Sequence, residues 1–324
     1  MTLQKPQPTY VQGDCGAVTG MKRFSHEAMA TTFEVVVVHE DERYAAQAAA
    51  AAFEEVDRLE GELSRFIENS DISRINKFFS GEPLLLGLGV FECLEISARI
   101  YEQTKGAFDI TIGSLLNCWR SDDGSLRTPT EEELSLARKS TGTDLLRLNA
   151  EEHSVEVLAE GVQVDLGGIG KGFAVDQMAE LLREWSIDVA LINGGYSSVL
   201  ALDGPANMKG WPVTLSHPGK GKRTLAKVYF QGRALSGSGV QKGGHIIDPR
   251  TSRPVKGKLA AWSSTPDAAT GDALSTAFMV MAPDEIKEYC RLHQDVLAMV
   301  ILEAKDGRKE EILRFGRWDE LMSN

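Results

Sequence analysis

Strand-forming runs in this 324-residue chain come in clusters and do not alternate with helices. A β-branched run, TTFEVVVVHE (31–40), stands before an alanine-rich helical segment at 41–64. Short strands are predicted around 145–148, 154–158 and 162–165. A second cluster covers 188–202, 211–215, 224–230 and 233–236, and terminal strands fall at 296–302 and 310–315. Clustered strands can pair with their sequence neighbours, whereas a doubly wound parallel sheet needs a helix between successive strands. The pattern therefore predicts an α+β fold with mixed or antiparallel sheets and packed helices. Within 41–64, Ala52, Val56, Leu59 and Leu63 share one stripe, suited to close packing on a sheet. A short capped helix is predicted at 70–76, a longer one at 89–106 ended by Gly106, and another after a Thr130 cap. Residues 106–119 read as a loop and 1–23 as an irregular arm, with a single domain over 24–324.

Charge and composition narrow the function. The formal net charge is −12, which disfavours non-specific nucleic-acid binding and predicts no nucleic-acid partner. The one basic run, GKGKRTLAK (219–227), reads as a solvated hairpin. Cys15, Cys93, Cys118 and Cys290 form no CxxC pair and have no metal-ligand spacing. No run approaches the roughly 18 apolar residues of a membrane span. The N-terminal segment has neither an apolar signal core nor a lipobox. These features predict a cytoplasmic protein as the sequence stands. A trimmed export segment would instead place the domain in the periplasm or on a membrane anchor.

Five segments could carry chemistry. In VDLGGIGKGFAVDQ (164–177), an acid, Asp165, precedes Gly167, Gly168, Gly170 and Gly172, with Lys171 between the last two. A helix follows, carrying the stripe Ala174, Met178, Leu181, Leu182 and Trp185. Glycines before a helix N-terminus can cradle an anion. The segment is neither a Walker A loop nor GxGxxG, and a tight turn with a snorkelling lysine accounts for it equally well. In GDALSTAFMVM (271–281), Asp272, Ser275 and Thr276 share one helical face, with Leu274, Ala277, Phe278 and Met281 opposite. A carboxylate beside two hydroxyls suits Mg²⁺, although Asp272 could equally be the helix cap. His245, in GGHIIDPRTSRP, is either structural or catalytic. Asp109, in GAFDIT, points inward to a backbone or a ligand partner. LSGSG (235–239) offers hydroxyls of a kind common at strand ends. No Ser-His-Asp or Cys-His set is complete, and no GxSxG elbow is present.

Taken together and in order, these segments resemble the ApbE-like family, the FAD:protein FMN transferases. The resemblance rests on MATTF (29–33), LSRFIENSDISRIN (63–76), GAFDITIGSLLNCW (106–119), VDLGGIGKGFAVD (164–176), HIIDPRTSRP (245–254) and GDALSTAFMVM (271–281). It implies a fold with duplicated β-rich halves and the flavin site between them. It also implies Mg²⁺-dependent transfer of the FMN half of FAD to a threonine or serine in the flavinylation motif of a partner flavoprotein, with release of AMP. FAD contacts are implied at Met29, Phe66, Ala107, Phe108, Asp109, Asp165, Lys171, His245 and Ile246. Metal oxygens are implied from the Gly168 carbonyl, Asp272 and Thr276, with His245 and Asp272 as catalytic residues. His245 either accepts the hydroxyl proton or orients a phosphate. A Mg²⁺-dependent FAD pyrophosphatase or a non-catalytic flavin-binding protein are the alternatives. The chain departs from the family at Ser252 (usually glycine), Phe173 (frequently tyrosine), Tyr196 (often glycine, so a narrower pocket) and Ser275 (aspartate in some members, so one charge fewer at the metal).

Overall fold

The structure is a computed structural model that describes residues 11–13, 20–78, 81–121, 125–218, 223–240, 246–304 and 309–321. Its centre is an eight-stranded sheet in which every ladder is antiparallel. In spatial order the strands are β16 (Glu311–Phe315), β15 (Leu297–Leu302), β14 (Lys258–Thr265), β11 (Arg233–Gly239), β8 (Ser198–Ala201), β7 (Ala190–Gly194), β3 (Thr31–Val38) and β2 (Met21–Ala28). A second sheet joins β1 (Val11–Gly13), β9 (Trp211–Ser216) and β10 (Thr224–Phe230). Two small sheets pair β4 (Leu84–Leu85), β6 (Ser154–Val157) and β5 (Leu146–Asn149), and β12 (Ile247–Asp248) with β13 (Arg253–Pro254). The helices among the described residues are α1 (Glu42–Leu63), α2 (Asp71–Lys77), α3 (Leu88–Gln103), α4 (Gly113–Cys118), α5 (Glu131–Lys139), α6 (Gly170–Glu184), α7 (Ala268–Val280) and α8 (Pro283–Leu292).

Strand β3 shows why the main sheet is covered on both faces. Successive side chains alternate between faces. Phe33, Val35 and Val37 enter the core under the helices, while Val36 enters the core beneath the β1–β9–β10 sheet. That second core is filled by Trp211, Trp262 and Phe230, each almost fully buried. The helical layer is stacked: α1 packs on α6, α6 on α7, and α7 on β11 and β14. The predicted stripe Ala52, Val56, Leu59 and Leu63 of α1 is buried, and Ala45, Ala48 and Ala49 extend it.

Four expectations change. The arm at 1–23 is not wholly irregular: Val11–Gly13 pairs with Leu215–Val213, and β2 begins at Met21. Residues 162–165 form no regular strand. They run beside 110–113 through a single parallel bridge, Ile112 to Gln163, and the side chain of Asn76 supplies the missing ladder. Its Oδ1 accepts from Val164 N at 2.6 Å, and its Nδ2 donates to Val164 O at 3.0 Å. The predicted loop at 106–119 contains the short helix α4. Helix α7 starts four residues before Asp272, with Asp267 as its cap, accepting from Thr270 N at 2.8 Å. Asp272 therefore does not cap the helix. It sits a full turn inside it and is 2% exposed.

Candidate active site

One cleft of about 570 Å³ gathers the predicted residues. Met29, Phe66, Ala107, Phe108, Asp109, Asp165, Gly168, Lys171, Ile246, Asp272 and Thr276 all line it, from six separate stretches of chain. His245 lies outside the described residues, and its neighbour Ile246 forms part of the wall.

The β2–β3 hairpin delivers Met29 through a two-residue turn in which Met29 and Ala30 have φ of 48° and 56°. Turns of this hand ordinarily use Asn-Gly, and each non-glycine residue there costs about 1 kcal/mol. Ala30 and Thr31 line the cleft as well, so the strain sits at the site. On another wall Phe66 is 84% exposed, an unusual state for a phenylalanine. Its ring lies 4.8 Å from the Arg65 guanidinium carbon, and Arg65 Nε is 3.2 Å from Asp165 Oδ2. Asp165 Oδ1 accepts from Gly167 N at 2.8 Å. Asp165 therefore shapes the glycine turn and anchors Arg65.

Asp109 is turned inward, and one of its oxygens is held by the protein itself. Its Oδ1 accepts from Thr111 N, Thr111 Oγ1 and Thr143 Oγ1 at 2.6–2.9 Å. Burial pushes its pKa up, against the lowering effect of these bonds. Its Oδ2 has no donor among the described residues.

Several amides of the glycine loop have partners inside the protein. Ile169 N and Gly170 N close the turn onto Leu166 O, and Gly172 N, in the first turn of α6, donates to Asp272 Oδ2 at 3.2 Å. Part of the helix N-terminus is thus engaged by a carboxylate from α7. Lys171 Nζ reaches the same oxygen at 3.5 Å and Gly167 O at 3.4 Å. Asp272 Oδ1 and the Gly168 carbonyl have no hydrogen-bond donor among the described residues. A Cβ placed on Gly168 would lie 3.2 Å from Thr276 Oγ1, so the loop abuts the α7 hydroxyl. One carboxylate oxygen, one hydroxyl and one carbonyl thus share a corner. Hard, all-oxygen donors of this kind fit Mg²⁺ and not zinc. Among the described residues no three His, Cys, Asp or Glu side chains cluster as a metal site, so any cation here would depend on hydroxyl and carbonyl oxygens.

The sequence underrated two residues, Ser238 and Arg65. Ser238, in LSGSG, lies 2.8 Å from Ser275 Oγ and 3.2 Å from Thr276 Oγ1, oxygen to oxygen. Arg65 stands beside Phe66 in LSRFIENSDISRIN, where the resemblance names only Phe66. Tyr196, already marked in the sequence as a departure near the pocket, lines the cleft and is 45% exposed. Ser275 is fully buried and donates to Asp272 O at 2.9 Å, so it braces the helix backbone. Phe173 is buried in the helical core.

Ser252 adopts φ of 61°, where glycine is at ease, and is completely buried. Its hydroxyl accepts from Arg138 Nε at 2.9 Å and its carbonyl from Trp119 Nε1 at 2.9 Å. Ser252→Ala keeps the backbone strain and loses one bond, so it should cost about 1 kcal/mol. Ser252→Gly loses the bond but relieves the strain and should be near neutral. Urea unfolding of both variants checks the order; an alanine variant as stable as the glycine one would contradict this account.

The arrangement is that of an α+β protein with a deep ligand cleft and a hard-oxygen corner at the foot of two packed helices. The chain belongs to the ApbE family, whose model matches residues 29–301. It is 27% identical over 280 residues to the FAD:protein FMN transferase of Vibrio cholerae, covering 79% of this chain and 80% of that protein. It is 26% identical over 304 residues to the Escherichia coli protein of the same name, covering 89% and 85%. Its fold superposes on the flavin transferase ApbE from Vibrio cholerae with a TM-score of 0.82 at 22% identity, over 93% of this chain and 99% of that one. The ApbE protein of Thermotoga maritima gives 0.82 at 25% identity, over 94% and 100%.

Proposed function

We propose that this chain transfers the FMN half of FAD to a threonine or serine hydroxyl of a partner flavoprotein and releases AMP. The observation that carries this reading is the convergence of the family motifs on one cleft, with Lys171 and the Asp272–Thr276–Gly168 corner at its floor. Residues 24–324 would act as one domain.

In this reading FAD lies along the cleft with an aromatic ring against Phe66 and its pyrophosphate near Lys171. Asp272, Thr276 and the Gly168 carbonyl would hold Mg²⁺, which supplies charge neutralisation on the pyrophosphate. The acceptor oxygen bonds to the phosphorus on the riboflavin side. The bond from that phosphorus to the bridging oxygen breaks, and AMP leaves with the bridging oxygen. His245 is proposed to take the acceptor proton, on the strength of its place in the sequence beside Ile246 and the capacity of an imidazole to accept a proton. Lys171 supplies a positive charge that grows in value as negative charge moves onto the leaving AMP.

Hydrolysis is the second reading, because the same groups would pass the riboflavin phosphate to water and the cleft is open to solvent. AMP released with FAD and Mg²⁺ separates the two. Release only when acceptor protein is present supports transfer, and equal release without it supports hydrolysis. No release under either condition, with FAD bound, points to a flavin-binding protein.

Phe66→Ala provides a narrower test. An 84% exposed side chain adds little to stability, so melting should hardly move. Loss of a stacking surface worth about 1–3 kcal/mol should raise the KM for FAD at least about fivefold, with a smaller change in kcat. An unchanged KM would remove Phe66 from the site.

A further inference from the structure

Helix α7 carries both side chains of the oxygen corner, and each of its ends is gripped by a charged side chain from another element. At the N-terminus, Asp176 of α6 accepts from Ala268 N through Oδ1 and from Ala269 N through Oδ2, both at 2.7 Å. At the C-terminus, Lys258 of β14 donates to the carbonyls of Phe278, at 2.8 Å, and Met281. Lys258 is 7% exposed. An acid at the start and an ammonium at the end both complement the helix dipole. Neither is needed to begin the helix, because Asp267 already caps it.

The grip has a direction. Gly172 and Asp176 lie four residues apart on α6 and so share a face. Gly172 meets α7 at Ala268 and Asp272, and Asp176 meets it at Ala268 and Ala269. The same first turn of α6 carries Lys171, next to the loop that presents the Gly168 carbonyl. The axial setting of α7 against this loop decides whether Asp272 and Thr276 meet Gly168, and displacements near 1 Å at such sites are costly.

We propose that Asp176 and Lys258 are positioning residues, which lock α7 from both ends so that its carboxylate and hydroxyl form a cation site with the glycine loop. The proposal rests on the cation role given to that corner above.

The charge states support it. Desolvation pushes the Asp176 pKa up to about 7, with its two amide bonds lowering it and Asp267 and Glu180 raising it. Glu92, Glu95, Arg99 and Arg183 line the same hollow. Desolvation pulls Lys258 down to about 8, with Glu285 and Asp248 raising it and Arg250 lowering it. Asp176 has a raised pKa, so its contribution to stability is full in acid and is lost as pH rises through about 7. The carboxylate form, with both oxygens free to accept, becomes the major form above that pH. Lys258 has a lowered pKa, so its ammonium is also held at a cost to stability. Through the interval from about pH 6 to 7.5, a positioning role predicts cation binding that improves while Asp176's contribution to stability declines. A purely stabilising role does not predict these opposite trends.

The test uses Mn²⁺ alone with the full chain, read by electron paramagnetic resonance, together with hydrogen exchange of segment 268–280. Asp176→Asn keeps the shape but leaves one acceptor oxygen. At pH 7.5 it should weaken Mn²⁺ binding about tenfold, speed exchange at the start of α7 and abolish the improvement between pH 6 and 7.5. Lys258→Met should also weaken binding and speed exchange at the end of α7, and Lys258→Arg should restore both. Folded Asp176→Asn and Lys258→Met variants with wild-type exchange and Mn²⁺ affinity would overturn the proposal. If Asp176→Asn does not fold, the Lys258 pair decides by itself. A wild-type chain that binds no Mn²⁺ would instead overturn the cation corner, and the exchange data would still decide whether α7 is locked.

Discussion

Asp272→Asn should lower FMN transfer by about 10²–10³-fold while leaving FAD binding within a few-fold and the chain folded. The substitution keeps the shape of a side chain that is 2% exposed, so gross collapse is not expected. It removes the negative charge that Lys171 Nζ and Gly172 N both face. It also replaces one carboxylate oxygen with an amide that cannot ligate a cation. Loss of one preorganised electrostatic contact of this kind costs about 3–4 kcal/mol in the transition state. The effect should appear in kcat, since the group acts where charge develops and not along the whole ligand. Turnover with saturating FAD and acceptor, beside a melting curve, provides the check. An asparagine variant with more than half the wild-type rate would remove Asp272 from the mechanism.

The largest stability effect should come from Gly172→Ala. A Cβ there would sit 2.2 Å from Ala268 O, 2.7 Å from the same residue's carbonyl carbon and 2.8 Å from Asp272 Cβ. The first two are backbone atoms, so no rotamer change can make room. Helices α6 and α7 must separate, and overpacking of this severity costs about 3 kcal/mol or more. For a chain this long that corresponds to a fall in Tm of roughly 5–10 °C. Gly61→Ala is the matched control: Gly61 lies inside α1 with nothing within 4 Å of the added carbon, and alanine should stabilise by about 0.5–1 kcal/mol. If both glycines tolerated alanine equally, the close helix contact described here would be wrong.

These two residues also show what was legible in the sequence and what was not. Periodicity marked the α1 stripe and the strand clusters, because burial on one face leaves a repeating trace. The motifs named the cleft residues, and the fold brought them together from six stretches. Spacing alone left VDLGGIGKGFAVDQ open between a cradle and a turn. The missing information was the partner: Gly172 is small because α7 crosses it, and its N–H serves Asp272, a hundred residues away. The same blindness to distant partners hid the start of α7. Its first turn, AATG, ends in two poor helix formers, Thr270 and Gly271, and is held by Asp176 from another helix. Residues 162–165 read as a strand, but in the fold the Asn76 side chain supplies bonds that a neighbouring strand would normally provide. Ser238 was undervalued for a related reason: a serine at a strand end gains meaning only when Ser275 and Thr276 are beside it.

Covalent flavin on the acceptor is the decisive product. The chain should be incubated with FAD, Mg²⁺ and a flavoprotein acceptor bearing the target threonine, and the acceptor's intact mass recorded. The prediction is an acceptor heavier by one FMN less one water, with an equal amount of AMP, and no such gain when the acceptor threonine is changed to valine. FAD consumed to free FMN and AMP with every acceptor left at its original mass would contradict it.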